Sequence, residues 1–343
     1  MINVLIADDS PVIQASLENI LSSDPLIRVI AKARNGQEAV RLASSTRPDV
    51  ITMDINMPEM DGLEAVRQIM HTNPVPVIII SGIMDANDPL DTFKALEAGA
   101  VTIMNKPRAL GSRESMVYAK ELIQQVRLLS EIRVIKRFSA RKPAAAAAEQ
   151  KEIRRNAIPG IIAIAASTGG PMVIQKILSS LPQGFSIPII LIQHIVAGFT
   201  VDFARWLGET SRLKVVIPEN TEEIAPGICY VAPDGWHVKV RKSRIIFVQD
   251  KKRNICPSAS VLFESVAEEY GPGAVGIILT GMGNDGAEEL KKMKLSGAIT
   301  IAQDKASSVV FGMPGEAVKI GAASLVLSPE EIIYFLKNLT SGN

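Results

Sequence analysis

Five positions in the first third of this chain carry reactive side chains directly after apolar runs. Asp8 and Asp9 follow Val4-Leu5-Ile6-Ala7, and Asp54 follows Val50-Ile51-Thr52-Met53. Ser81 follows Val77-Ile78-Ile79-Ile80, and Lys106 follows Val101-Thr102-Ile103-Met104-Asn105. Such runs read as buried parallel strands. An open α/β sheet gathers its ligands at the carboxyl ends of its strands, so these groups converge on one pocket. Mg²⁺ takes near-octahedral oxygen ligands and keeps several waters. Asp9 and Asp54 offer two carboxylates, a backbone carbonyl just after Asp54, at Asn56, offers a third ligand, and Asp8 would position the metal waters. A phosphoryl group on Asp54 would pair with Lys106 and take a hydrogen bond from Ser81. Asp54 can be the nucleophile because metal and Lys106 offset the charge that builds during transfer. Helix capping explains Asp8 or Asp9 taken singly. It does not explain the whole set at successive strand ends.

A second set lies further on. Ser167 follows Ile161-Ile162-Ala163-Ile164-Ala165-Ala166 and opens the turn Ser167-Thr168-Gly169-Gly170-Pro171. His194 follows the run Ile187 to Ile192, after Gln193, and Asp285 lies in Thr280-Gly281-Met282-Gly283-Asn284-Asp285-Gly286 after the run Ala274 to Leu279. Ser, His and Asp at three strand ends can act as nucleophile, base and orienter. The chain order differs from Ser…Asp…His, and the Gly-x-Ser-x-Gly elbow is absent, but such a set is recognised by geometry rather than by order. Each residue also has a plainer reading. Ser167 to Gly170 could cradle an anion or cap a helix, His194 could be a satisfied buried histidine, and Asp285 a turn residue. Of the other histidines, His71 falls at a helix end beside Asn73-Pro74, and His237 is the rival base.

Placing these groups requires two α/β units, which suits a length of 343 residues. From Met1 to Leu122 strands alternate with helices: Pro11 to Leu21, Gln37 to Ser44 behind an Asn35-Gly36 cap, Leu63 to Met70, and Leu90 to Ala98 stopped by Gly99. The expectation is a doubly wound parallel sheet with right-handed crossovers. Residues 131–155 carry eight basic and three acidic side chains and the run Pro143 to Ala148. They read as an exposed linker within 123–157. From 158 to 343 a second α/β pattern runs. Its segment 213–248 alternates apolar and polar, with turn signals at Pro226-Gly227 and Asp234-Gly235 that suggest a hairpin.

Composition bounds the function. Hydrophobic residues make up 47% of the chain and the net charge is +1, so no global field favours nucleic acid or a membrane surface. The sheet-rich second half shows no basic recognition helix. Cys229 and Cys256 lack metal-ligand spacing and suit a reducing compartment. No apolar run approaches the ~18 residues needed to span a bilayer, and no basic, apolar leader precedes the first strand. The expectation is a cytoplasmic protein that is not membrane-inserted.

Residues 1–122 resemble a response-regulator receiver domain through Asp8-Asp9-Ser10, the run Met53 to Gly62, Ser81 and Lys106-Pro107. This flavodoxin-like family implies Mg²⁺-dependent phosphorylation of Asp54 by a histidine kinase, with repacking of the helix 4–strand 5–helix 5 face. Tyr118 lies beyond the fifth strand, so the family's aromatic-switch role is not assigned to it. Residues 158–341 resemble the methylesterase domain of the chemotaxis protein-glutamate methylesterases, a Rossmann-like hydrolase with a Ser-His-Asp triad. The segments are Ala166 to Pro171, Gln193-His194 with Gly198-Phe199-Thr200, Pro226-Gly227 through Ala232 to His237, Pro257-Ser258 with Val261-Leu262-Phe263, Thr280 to Gly286, and Ala302 to Pro314.

That resemblance implies Ser167 as nucleophile, His194 as base, Asp285 as its orienter and the Met282 backbone N–H as the oxyanion donor. One such donor is worth roughly 3–4 kcal/mol. It also implies methylated glutamates of methyl-accepting chemotaxis receptors as substrate, methanol as product, glutamine deamidation at the same site, and a chemotaxis histidine kinase as partner. The family usually has Met-Pro where this chain has Ile195-Val196, and often an Asp where Ser260 stands. The alternative of a different class is a phosphorylation-controlled adaptor whose Gly-rich loops bind an anion or nucleotide.

Overall fold

The computed structural model describes residues 1–82, 90–107, 113–131, 158–250 and 255–340. The chain divides into two compact units, Met1–Ser139 and Ala140–Asn343. In the first, β1 (Ile2–Ala7), α1 (Pro11–Ser22), β2 (Ile27–Ala33), α2 (Gly36–Thr46), β3 (Val50–Met53), α3 (Gly62–Thr72), β4 (Val77–Ser81), α4 (Leu90–Ala98), β5 (Thr102–Asn105) and α5 (Arg113–Ser130) follow in turn. The helices start where the sequence supplies caps. The Asn35 and Asp61 side chains each accept a backbone N–H three residues on, from Glu38 and Glu64, at 2.8 Å. Pro11 stands in the first turn of α1, behind the Ser10 cap.

The strands form one parallel sheet in the order β2-β1-β3-β4-β5. Helix α1 packs on α5, while α2 packs on α3 and α3 on α4, which covers both faces. Val4, Leu5, Ile51, Ile78 and Ile79 are fully buried between them. The order reverses beside β1, because the chain leaves β1 for β2 on one side and returns to β3 on the other. Helix α5 continues past Leu122 to Ser130 and buries Leu122, Val126 and Leu129. The expected end of the unit at 122 therefore falls inside a packed helix. Arg127, in its last turn, pairs with Asp24 at 2.5 Å. Most of the expected linker, 132–157, lies outside the described residues.

The second unit contains β6 (Ile161–Ala166), α6 (Gly170–Ser180), β7 (Ile189–Gln193), α7 (Thr200–Thr210), β8 (Lys214–Val216) and β9 (Ile228–Val231). It continues with β10 (His237–Arg241), β11 (Arg244–Val248), α8 (Ala259–Tyr270), β12 (Ala274–Ile278), α9 (Ala287–Leu295), β13 (Ile299–Gln303), α10 (Met313–Lys319), β14 (Leu325–Leu327) and α11 (Pro329–Thr340). Seven strands form a parallel sheet in the order β14-β13-β12-β6-β7-β9-β8. Helices α7 and α11 pack on α6, and α8 and α10 pack on α9. The winding direction reverses between β6 and β12. An open α/β sheet has its crevice at such a reversal.

The hairpin is real but differs from its expected place. Strands β8 and β9 join the main sheet as parallel members at its edge. The hairpin is β10–β11, closed by Lys242 and Ser243. Both have positive φ, 49° and 54°, as a two-residue turn matched to strand twist demands. Pro226-Gly227 and Asp234-Gly235 are connections on either side of β9. The hairpin seats on α8, where the Val240 N–H donates to Ser265 Oγ at 3.0 Å.

Candidate functional site

In the first unit the expected pocket assembles at the β1/β3 reversal. The Asp54 N–H donates to the Ala7 carbonyl at 2.8 Å, which sets Asp54 level with Asp8 across the paired strands. Carboxylate oxygens of Asp8, Asp9 and Asp54 lie within 4.8 Å of one another. Asp8 and Asp54 are buried, whereas Asp9 is exposed. Lys106 Nζ donates to Asp54 Oδ2 at 3.0 Å. Ser81 is buried at the neighbouring strand end, and its carbonyl accepts the Lys106 N–H at 3.1 Å.

Burial pushes the Asp8 carboxyl up to about 6, against a lowering hydrogen bond from the Ser10 N–H, and the negative charges of Asp54 and Asp9 add to the rise. Burial also raises Asp54, while Lys106 and the Asn56 N–H pull it back. Asp8 Oδ2 is buried with no partner among the described residues. Three crowded carboxylates with one oxygen unsatisfied form a donor set suited to a hard divalent cation. Tyr118 lies on α5 with its hydroxyl buried and without a hydrogen-bond partner.

In the second unit Ser167 and His194 stand at adjacent strand ends, and Asp285 comes from the loop that follows β12. Ala166 pairs with Gln193, so Ser167 and His194 leave β6 and β7 side by side, and the His194 N–H donates to the Ala166 carbonyl at 2.9 Å. Adjacent strands are ~4.8 Å apart. The loop after β12 closes on the other side, where the Ser167 N–H donates to the Thr280 carbonyl at 3.0 Å. Gly281 is obligatory there: a Cβ would lie 2.7 Å from Ser167 Cβ and 2.6 Å from Met313 Sδ. His194 Nε2 meets Asp285 Oδ2 at 3.0 Å. The carboxylate also accepts from Ser258 Oγ at 2.7 Å and from the Ala259 N–H at 2.6 Å. Burial would raise the Asp285 carboxyl, but His194, Ser258 and Ala259 together hold it well below the usual range.

The Ser167 hydroxyl and the Met282 N–H make no hydrogen bond among the described residues. Ser167 and His194 are thus brought to neighbouring strand ends without a hydrogen bond between their side chains, whereas His194 and Asp285 are joined directly. Of the other histidines, His71 is exposed on α3, and His237 is buried with Nδ1 unpartnered.

Sequence reasoning missed the braces. Buried Gln193 donates to the Ser167 and His194 carbonyls at 2.9 and 2.8 Å. Thr280 Oγ1 donates to the Thr168 carbonyl at 2.9 Å and accepts the Val310 N–H at 2.9 Å. Asp234, expected in a hairpin turn, accepts the Gly198 N–H at 2.8 Å and the Thr200 hydroxyl at 2.5 Å. It thereby fastens the segment holding Ile195-Val196.

The CheB methylesterase family profile matches residues 162–336, and the response regulator receiver profile matches residues 4–117. A protein-glutamate methylesterase/protein-glutamine glutaminase of Syntrophus aciditrophicus is 47% identical over all of this chain and 99% of its own length. The chain belongs to the CheB methylesterase family. Another relative of that description, from Geobacter metallireducens, is 44% identical over 99% of both chains. The Thermotoga maritima CheB methylesterase catalytic domain is 37% identical, with a TM-score of 0.50, over 53% of this chain and 99% of its own. Membership of the CheB family does not favour the adaptor alternative. No helix among the described residues is long and apolar enough to cross a membrane.

Proposed function

We propose that this chain is a phosphorylation-controlled esterase that hydrolyses glutamate γ-methyl esters on methyl-accepting chemotaxis receptors and deamidates receptor glutamines at the same site. The observation that carries the reading is the His194–Asp285 pair beside Ser167 at the sheet's reversal point, in a chain of the CheB family.

Ser167 Oγ attacks the ester carbonyl carbon. His194 takes the hydroxyl proton on Nδ1, because Nε2 is engaged by Asp285. The charge that develops on the carbonyl oxygen is met by the Met282 N–H. The imidazolium then returns the proton to the departing methoxide, and methanol leaves. A water, deprotonated by the same imidazole, attacks the acyl-enzyme; the glutamate carboxylate leaves and Ser167 regains its proton. With a glutamine side chain the leaving group is ammonia. Asp285 stays ionised throughout and holds the imidazole in the productive tautomer.

In the receiver, Asp54 is the phosphoryl acceptor, Lys106 pairs with the added charge and Ser81 hydrogen-bonds to it. Asp9, Asp54 and the carbonyl of Asn56 would hold Mg²⁺, with Asp8 beside them, and the ion would offset charge on the transferring group. A chemotaxis histidine kinase is the phosphodonor, and the setting is cytoplasmic.

The test is methanol release from methylated receptor membranes. Ser167→Ala should fall to background with the fold intact by circular dichroism. Unchanged release by that variant would contradict the reading.

A further inference from the structure

The His194–Asp285 pair rests on the start of a helix. A helix leaves its first N–H groups without internal partners, and its N-cap side chain ordinarily satisfies one of them. At the start of α8 the N-cap residue, Ser258, makes no such bond. A carboxylate from another loop takes its place: the Ala259 N–H donates to Asp285 Oδ2 at 2.6 Å, and the Ser260 N–H to Oδ1 at 3.3 Å. The Ser258 hydroxyl, not used in capping, donates to Oδ1 at 2.7 Å. Ser260 Oγ accepts the Gly286 N–H at 3.0 Å, which pins the residue after Asp285. Ser258 is 1% exposed, so no water competes for its hydroxyl.

We propose that Ser258 is a positioning residue for the hydrolysis, its hydroxyl fixing the rotation of the Asp285 carboxylate so that Oδ2 faces His194. The proposal rests on the roles given above to Ser167, His194 and Asp285. A carboxylate turns easily about its terminal torsion, and the two oxygens of Asp285 are not held alike. Oδ2 has two short bonds, to His194 and Ala259. Oδ1 has one short bond, from Ser258, and one long one. Without the Ser258 hydroxyl, Oδ1 of this largely buried carboxylate is left with the long bond alone, and it gains by rotating toward the Ala259 N–H. That rotation withdraws Oδ2 from His194, and the imidazole loses the partner that sets its tautomer. A purely capping role predicts something else, because glycine is nearly as good an N-cap as serine.

The experiment is steady-state methanol release from methylated receptor membranes by the full-length chain. Ser258→Ala and Ser258→Gly should lower kcat by about 10- to 100-fold and leave KM unchanged. Ser258→Thr, which keeps the hydroxyl, should recover most of the loss. Circular dichroism reports folding, and Ser258→Gly carries the comparison if Ser258→Ala does not fold. A folded Ser258→Gly with wild-type kcat, or a loss confined to KM, overturns the proposal. Ser167→Ala separates the two levels. If it is inactive while Ser258→Ala and Ser258→Gly keep wild-type kcat, the positioning role fails alone. If it is active, the roles beneath it fail.

Discussion

At the residue scale, two carboxylates, Asp8 buried and Asp285 largely so, are driven in opposite directions by what surrounds them. Asp285 gathers hydrogen-bond donors and is held as an anion well below its usual range. Asp8 gathers other carboxylates, and burial raises it to about 6. A carboxyl whose folded value lies above its unfolded value destabilises the fold at high pH, and the penalty is relieved as pH falls through the folded value. Asp8→Asn should therefore raise the unfolding temperature of the first unit above pH 7 in metal-free buffer, with the difference shrinking below pH 5. The same variant should lose the extra stability that Mg²⁺ gives the wild type. Thermal unfolding at several pH values, with and without Mg²⁺, checks both; an unstabilised Asp8→Asn at pH 8 would contradict the crowding argument.

The places of Asp8, Asp54, Ser167 and His194 were legible in the sequence because each follows an apolar strand run, and strand ends have a fixed place in an α/β sheet; Asp285 was legible only as part of the glycine-rich loop after β12. Ser258 was not legible as a partner of Asp285. It lies 27 residues away on a helix start, and only packing of α8 against α9 brings them together.

At the scale of elements, close contact between loops and strand ends fixes the reactive groups. A Cβ on Gly281 would collide with Ser167 Cβ at 2.7 Å, and one on Gly62 would lie 1.9 Å from the Asp54 carbonyl oxygen. In both units a glycine lets backbone lie directly against the residue we propose to react. Gly281→Ala should push the β12 loop away from Ser167, displacing both the nucleophile and the Met282 N–H. We expect a fall in kcat of at least about 100-fold, the size of losing one oxyanion donor. Methanol release and thermal unfolding measured together test this, and an enzyme of normal kcat would show that the loop does not set the geometry.

The elements also show where sequence patterns mislead. Strand β8 lies at the sheet edge with β9 beside it, and the turn signals at Pro226-Gly227 and Asp234-Gly235 mark connections into and out of β9 rather than hairpin turns. The true hairpin turn, Lys242-Ser243, lacks the Asn or Gly that usually marks positive φ. The end of α5 was missed for a related reason: the polar stretch around Lys120 and Glu121 interrupts the apolar signal, while Val126 and Leu129 remain buried beyond it.

At the scale of the whole molecule, one chain carries the same architectural device twice. Each unit winds a parallel sheet outward in two directions and collects its reactive groups where the winding reverses. In the first unit that place holds carboxylates and a lysine, which suits acceptance of a phosphoryl group. In the second it holds a serine, a histidine and an aspartate, which suits acyl transfer. A phosphoryl group on Asp54 adds charge beside Lys106 and Ser81, and a switch of this kind acts by biasing a two-state element. The central claim is that chemistry at Ser167 answers to chemistry at Asp54. The most direct test is methanol release from methylated receptor membranes with and without a small-molecule phosphodonor plus Mg²⁺, for the wild type, Ser167→Ala and Asp54→Ala. The account predicts release that rises with phosphodonor in the wild type, none from Ser167→Ala, and an Asp54→Ala rate indifferent to phosphodonor. Full activation of Asp54→Ala, or release by Ser167→Ala equal to the wild type, would contradict it.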